Sequence, residues 1–318
     1  CTEYIEGRRK KEENKGLKIG NKEIAQAFLL RTSDFSSENT KCALIITSKI
    51  FYNLQSQKFR EYFLENFFID KIFEMSAVRR EIFNRSNDKS IAPPAILFYR
   101  HSHGRSTDKN IIEHIALKPN RFFSSFKIFT INRNDHKRVA QKRLKDYDYL
   151  WKILVYGSYL DFNFIKRLKE NYKTIGDIIL KNKHFLVKQG IKRKDGERSI
   201  DVEELINLNF LKTRGIDQYW CSPKLEKWKD KYVGYIYRIK GNICREMFKA
   251  PILLINGGIN KYFNHKSAIS YDDVVYLSSL TGVKTNIENI NILKQLNAYF
   301  NSTLFSYSML MTGVSAGI

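Results

Sequence analysis

The run "KCALIITS" (41–48) decides the fold. It is continuous, apolar and rich in β-branched residues, the pattern of a strand covered on both faces in an α/β sheet. Downstream, "SQKFREYFLEN" (56–66) spaces Phe59, Tyr62 and Phe63 along one helical face behind Ser56 as N-cap. "FIDKIFEMS" (68–76) supplies a second strand, and "APPAILFYR" (92–100) a third, whose prolines stop any helix from running in and suit a strand entrance. Upstream, "NKEIAQAFLLRTSDF" (21–35) puts Ile24, Phe28, Leu29 and Thr32 near one helical face, with Asn21 as N-cap. Helix, strand, helix, strand, polar loop and strand predict the closing half of a Rossmann-like sheet whose last two strands form a hairpin.

Composition narrows the class. A chain of 318 residues with 43% hydrophobic residues and only five prolines is globular and long enough for two domains. Its 55 Lys and Arg against 33 Asp and Glu give a net charge of +22. That excess points to a polyanionic partner, nucleic acid first; a Lys-, Asn- and Ile-rich composition of an AT-biased genome is the alternative source. Cys1, Cys42, Cys221 and Cys244 form no CxxC pair and have no histidines at zinc spacing, so a reduced, cytoplasmic protein is expected, with no metal site. His101 and His103 read as loop histidines. The apolar stretch near 291–312 is interrupted by Asn297, Asn301, Ser302 and Ser306, so no membrane partner is expected. The first residue is Cys, and an excerpt of a longer protein is expected.

Beyond residue 100 the alternation ends and Arg, Asn, Lys and aromatic residues take over, which puts the domain boundary near 110. Residues 144–172 read as two helices broken at Gly157-Ser158. The segment 181–199 reads as a basic loop, 232–240, 250–256 and 273–279 as strands, and 288–311 as a closing helix. Two basic clusters stand out: Lys188, Lys192, Arg193, Lys194 and Arg198 around Gly190 and Gly196, and Arg133, His136, Lys137, Arg138, Lys142 and Arg143, spaced like one helix face. Each reads either as a solvated face or as a phosphate-contacting surface, arginines being able to fork onto guanine. No PD...ExK or HNH arrangement of a nuclease can be traced.

In order and spacing, residues 21–100 resemble the later half of gamma-class adenine-N6 DNA methyltransferases, including large restriction-modification and phage-defence enzymes in which a target-recognition domain follows the catalytic one. The resemblance implies the C-terminal half of a Rossmann-like methyltransferase sheet over residues 1–110 and a mixed α/β target-recognition domain over 111–318. It implies Phe28 of "QAFLL" along the adenine of S-adenosylmethionine, a residue that the pattern alone would equally make a core phenylalanine. It implies Phe83 of the polar loop as the platform for a flipped target base, with Phe98 or Tyr99 as the alternatives if the register differs. An enzyme acting on an exocyclic amine must extrude the base, and a π-face offsets about 1–3 kcal/mol of lost stacking.

The resemblance further implies contacts to double-stranded DNA by Lys188, Lys192, Arg193, Lys194, Arg198, Arg138, Lys142 and Arg143, and restriction or defence-system partners. Ser48 stands where the family commonly has a proline. The glycine-rich cofactor turn and the Asn-Pro-Pro-Tyr type loop are not in these residues, and "APP" at 92–94 lacks the amide, so both are expected upstream of Cys1 and the fragment alone is expected to be inactive. The rival reading is a non-catalytic DNA-binding specificity or defence subunit of the same shape.

Overall fold

The computed structural model describes residues 2–10, 17, 19–20, 23–83, 92–179, 184–193, 199–260 and 262–313. The chain forms two compact units, Cys1–Ile165 with Met311–Gly317, and Lys166–Leu310.

The first unit is built on five strands: β1 (Cys42–Thr47), β2 (Phe67–Glu74), β3 (Pro94–His101), β4 (Ile111–Ala116) and β5 (His136–Ala140). Their order is β1-β3-β2-β4-β5. β3 lies between β1 and β2 and runs against both, whereas β4 runs with β2 and β5 runs against β4. Hence β1, β2 and β4 all end at the same edge of the sheet. The expected boundary near residue 110 falls inside this sheet, because "IIEHIA" pairs with β2 and carries the first unit on to residue 165.

Helices α1 (Thr2–Arg9), α2 (Ile24–Arg31), α3 (Lys49–Tyr52), α4 (Gln57–Asn66), α5 (Arg79–Ile82), α6 (Arg121–Phe126), α7 (Gln141–Asp146), α8 (Leu150–Tyr156) and α9 (Tyr159–Asn171) follow in chain order. The break at Gly157-Ser158 falls between α8 and α9, as the glycine suggested. Phe63 stacks on Phe67 at 4.5 Å, with Phe59 behind it at 5.9 Å, and Phe51 stacks on Trp151 at 4.7 Å. Each such ring removed from water contributes about 1.5–3 kcal/mol, so this aromatic layer holds α3, α4 and α8 to one sheet face. Arg60, 3% exposed, crosses the layer as a tie: its guanidinium grips Asp148 at 2.8 and 2.6 Å and donates to the carbonyls of Ile50 and Asn53. Where β2 bulges at Asp70, the buried Gln141 amide replaces ladder partners, accepting from Ile69 N and donating to the Leu64 and Phe67 carbonyls.

The other sheet face differs from expectation. β1 is an edge strand among the described residues, and Ile45 is 73% exposed. Ile45 pairs with Ile96, and Ala43 with Phe98, so these side chains form an apolar strip on the face opposite the helices. The apolar run of β1 is therefore covered on one face, not two. The α2 helix shifts in the same sense: its buried residues are Gln26, Ala27, Leu29 and Leu30, while Ile24 and Phe28 face outward. Glu23 holds the N-cap position; Asn21 lies outside the described residues. Ser56 precedes α4 without capping it, accepting instead from Gln26 Nε2 at 2.8 Å.

The second unit centres on an antiparallel sheet in the order 267–270, 252–256, 280–284, 186–189. Smaller sheets bury Trp228, Phe210, Val233 and Val275 in one core with Ile252, Leu254, Ala268 and Leu280 of that sheet. The expected basic loop at 181–199 is partly strand, Leu186–Gln189 and Lys192–Arg193. The closing helix is two, α11 (Ile290–Phe300) and α12 (Thr303–Thr312), after a short α10 (Ile175–Ile179). Buried His265 spans the Asn256 and Phe300 carbonyls at 2.8 and 3.0 Å, and Asn301 clasps the Ser267 backbone.

Candidate functional site

The edge where β1, β2 and β4 end is the place at which open α/β sheets take ligands. Here a buried polar knot ties the strand ends together. Glu74, the last residue of β2 and wholly buried, accepts from the Tyr52 hydroxyl at 2.6 Å, from Ser76 N at 3.0 Å and from the Ser76 hydroxyl. Ser48 Oγ lies 2.7 Å from Ser76 Oγ and 3.0 Å from the Pro93 carbonyl, to which Ser48 N also donates at 2.7 Å. Leu117 N donates to the Glu74 carbonyl, bringing in β4. Ser48 thus uses an N–H and a hydroxyl that a proline lacks.

Burial raises the Glu74 pKa, against the hydrogen bonds from Ser76 and Tyr52 that favour the carboxylate. Burial likewise raises that of Tyr52. Lys152 lies with its Nζ 5.1 Å from the Tyr52 ring centroid and 5.3 Å from that of Tyr156; burial pulls its pKa down to about 8, and the Glu74 charge opposes the fall. The sequence reading missed this knot, because a single Glu at a strand end and two scattered serines carry no spacing signal.

Phe83 follows directly from the knot. The chain leaves Ser76, turns through α5 and reaches Phe83 as its C-cap, with Phe83 N donating to the Arg79 carbonyl at 3.1 Å. Val78 and Ile82 pin α5 into a small cluster with Ile115, Leu117 and Phe129, leaving the Phe83 ring 37% exposed. The rest of the polar loop, 84–91, lies outside the described residues. Of the two alternatives, Tyr99 is 1% exposed and bonded to Thr32 Oγ1 at 2.9 Å, while Phe98 lies on the apolar strip. Phe28 is 62% exposed on the α2 flank.

The basic residues divide. Arg138 lies on β5, Lys142 and Arg143 on α7; the expected single helix face is thus a strand followed by a helix, which changes direction at Gln141. Lys142 pairs with Asp146 at 3.1 Å, and Arg143 sits over the Tyr159 and Phe162 rings. In the second unit, Lys188 lies over the Tyr237 ring at 4.0 Å, in a different sheet from Lys192 and Arg193, and Arg193 pairs with Asp230 at 3.2 Å. Lys194 and Arg198 lie outside the described residues. Among the described residues no group of His, Cys, Asp and Glu is placed to hold a metal, and no helix is long and apolar enough to cross a membrane.

No family model matches the chain, and no curated protein matches it. Among solved structures, the type IIG restriction endonuclease BpuSI is similar with a TM-score of 0.36 and 12% identity, over 93% of this chain and 40% of that one. The chain therefore spans less than half of that enzyme's length, and a likeness at this level carries no argument for function.

Proposed function

We propose that this chain is the end of the catalytic sheet and the target-recognition region of an S-adenosylmethionine-dependent adenine-N6 DNA methyltransferase. The observation that supports it most is the strand order: β3 inserted against β1 and β2, which are parallel and joined through α4. An inserted hairpin strand of this kind is what the resemblance of residues 21–100 implies.

The residues present fit part of the cofactor's needs. Phe28 offers an accessible apolar wall on α2, suited to one face of an adenine. S-adenosylmethionine would supply an electrophilic methyl group. The glycine turn and the amide-Pro-Pro loop that the reading requires are not among these residues; in this reading they belong to polypeptide seated beyond the open edge of β1. Phe83 takes the extruded adenine on its π-face, and the serine–glutamate knot fixes the base of α5, so that ordering the ring costs little entropy on capture. Arg138, Lys142 and Arg143, with Lys188, Lys192 and Arg193, neutralise phosphates.

The test has two arms. The complete polypeptide that carries this chain, incubated with duplex DNA and labelled cofactor, should yield N6-methyladenine; bound cofactor and no modified adenine would sink the enzymatic reading and favour a specificity subunit. The 318-residue chain alone should bind DNA with an affinity that falls linearly on a log–log salt plot, by a slope of about −0.9 per phosphate neutralised. Affinity indifferent to salt contradicts the DNA assignment.

A further inference from the structure

Between β5, α7, α8 and α9 lies a hollow of about 250 Å³, entirely within the first unit. It approaches the lower end of ligand pockets, about 300–1,000 Å³. Its floor is apolar, formed by Val139, Leu150, Ile153 and Leu154, all buried. Its wall is cationic: Lys137, Arg138 and Arg143 line it, and among the described residues no carboxylate does. Arg143 is held by its neighbours, its guanidinium carbon 6.0 Å from the Tyr159 ring centroid and 5.9 Å from that of Phe162. Cation–π contact of this kind restrains the planar fork while its in-plane N–H groups remain suited to an anion. Tyr159 is 63% exposed at the mouth, an aromatic face beside two cations.

From this combination we infer that the hollow binds a nucleoside phosphate, with Arg143 and Lys137 on the phosphate and the base stacked on Tyr159. A purely apolar ligand would strand the cations, and a bare inorganic anion would leave Tyr159 and the floor unused. The shared chemistry admits two sources, a free mononucleotide or one residue of a nucleic-acid strand. The assignment shares Arg138 and Arg143 with the proposed DNA-contacting residues but does not require methyl transfer.

The charges facing Lys137 set its behaviour. Burial first and then Lys118 disfavour its cation and bring the pKa down to about 8, against Asp135 and Asp161, and its Nζ donates to the Leu154 carbonyl, leaving its other N–H groups for a phosphate; Asp135 is engaged by Lys118 at 3.0 Å, and Asp161 accepts from Ser158 N and Oγ at 2.6 and 2.7 Å. Its neighbour across β4, His114, is held neutral by burial, and Arg143 stands on α7. A bound phosphate restores the Lys137 proton, so binding should weaken as pH rises through about 8.

Calorimetric titration of the full chain with adenosine monophosphate, adenosine, inorganic phosphate and a short single-stranded oligonucleotide tests this. Monophosphate should bind at least tenfold more tightly than adenosine or phosphate. Arg143→Gln should cost at least tenfold, Tyr159→Ala should weaken the nucleotide but not inorganic phosphate, and Lys137→Met should flatten the pH profile between 7 and 9. The oligonucleotide binding with the same dependences while the monophosphate does not assigns the site to a strand. Binding of both ligands unaffected by Arg143→Gln and Tyr159→Ala, in variants whose melting is unchanged, overturns the proposal, as does no binding at millimolar concentration.

Discussion

Replacing Glu74 by alanine should be among the most destabilising single changes in the first unit. The carboxylate accepts from the Tyr52 hydroxyl and from Ser76 N, both buried, whereas the Ser76 hydroxyl keeps Ser48 as an alternative partner. Each orphaned donor costs about 1–3 kcal/mol, and the lost side chain leaves a void, so about 3–5 kcal/mol is expected. In a unit of this size that is a fall in Tm on the order of 6–20 °C. Ser48→Pro, which deletes the 2.7 Å bond to the Pro93 carbonyl and the hydroxyl, should rank next, and Ser48→Ala last at about 1 kcal/mol. Because burial raises the Glu74 pKa above its ordinary value, its contribution is fully present below the usual carboxylate range and is lost as pH rises through the raised value. Glu74→Gln should abolish that dependence while keeping only one of the two accepting oxygens, and so should cost less than Glu74→Ala. Thermal melts from pH 4 to 8 measure all four variants; a Glu74→Ala protein within about 1 kcal/mol of the parent would show that the knot is incidental to stability.

Phe83→Ala should reduce base capture and turnover about 5–150-fold, from the loss of about 1–3 kcal/mol of stacking, while bulk DNA affinity and melting stay unchanged; fluorescence of a 2-aminopurine target in the complete enzyme reads this directly, and an unaltered signal removes Phe83 from the site. His114, buried with neither ring nitrogen partnered and a pKa pushed down to about 3, binds its proton in the unfolded chain first, so stability should fall by about 1.4 kcal/mol per unit as pH drops below 6.5. His114→Leu should lose that acid sensitivity, as urea titrations at pH 7 and 5 would reveal. A Cβ on Gly190 would collide with the Tyr276 and Leu277 carbonyls, so Gly190→Ala should destabilise the second unit by more than about 1 kcal/mol and leave Glu74-dependent melting of the first untouched.

β1, β2, β3 and α4 were readable because their periods are unambiguous, whereas α3 and α5 are single turns too short to show one, and the insertion of β3 between β1 and β2 is a matter of pairing rather than of period. β4 and β5 escaped notice for opposite reasons. "IIEHIA" is short and carries a charge and a histidine inside its apolar run, and "HKRVA" is an edge strand whose polar residues look like surface. What covers a strand was not readable at all: "CALIIT" describes what its side chains would tolerate, not whether a second layer is there. On α2 the apolar residues outnumber the buried positions, so the sequence could not say which way Phe28 would face. Phe83 was named only through the resemblance of residues 21–100, whereas the knot beneath it depends on hydroxyls that only the fold brings within reach.

The bare edge of β1 also bears on handling the molecule. A six-residue strand that is an edge strand among the described residues, carrying Ile45 at 73% exposure beside the Ile96–Phe98 strip, is a template for pairing with the same strand of another copy. Preparations of this chain should therefore grow turbid as concentration rises, despite a charge of +22 that opposes crowding at low salt. An outward lysine at position 45, Ile45→Lys, is the cheapest gatekeeper for keeping it monodisperse.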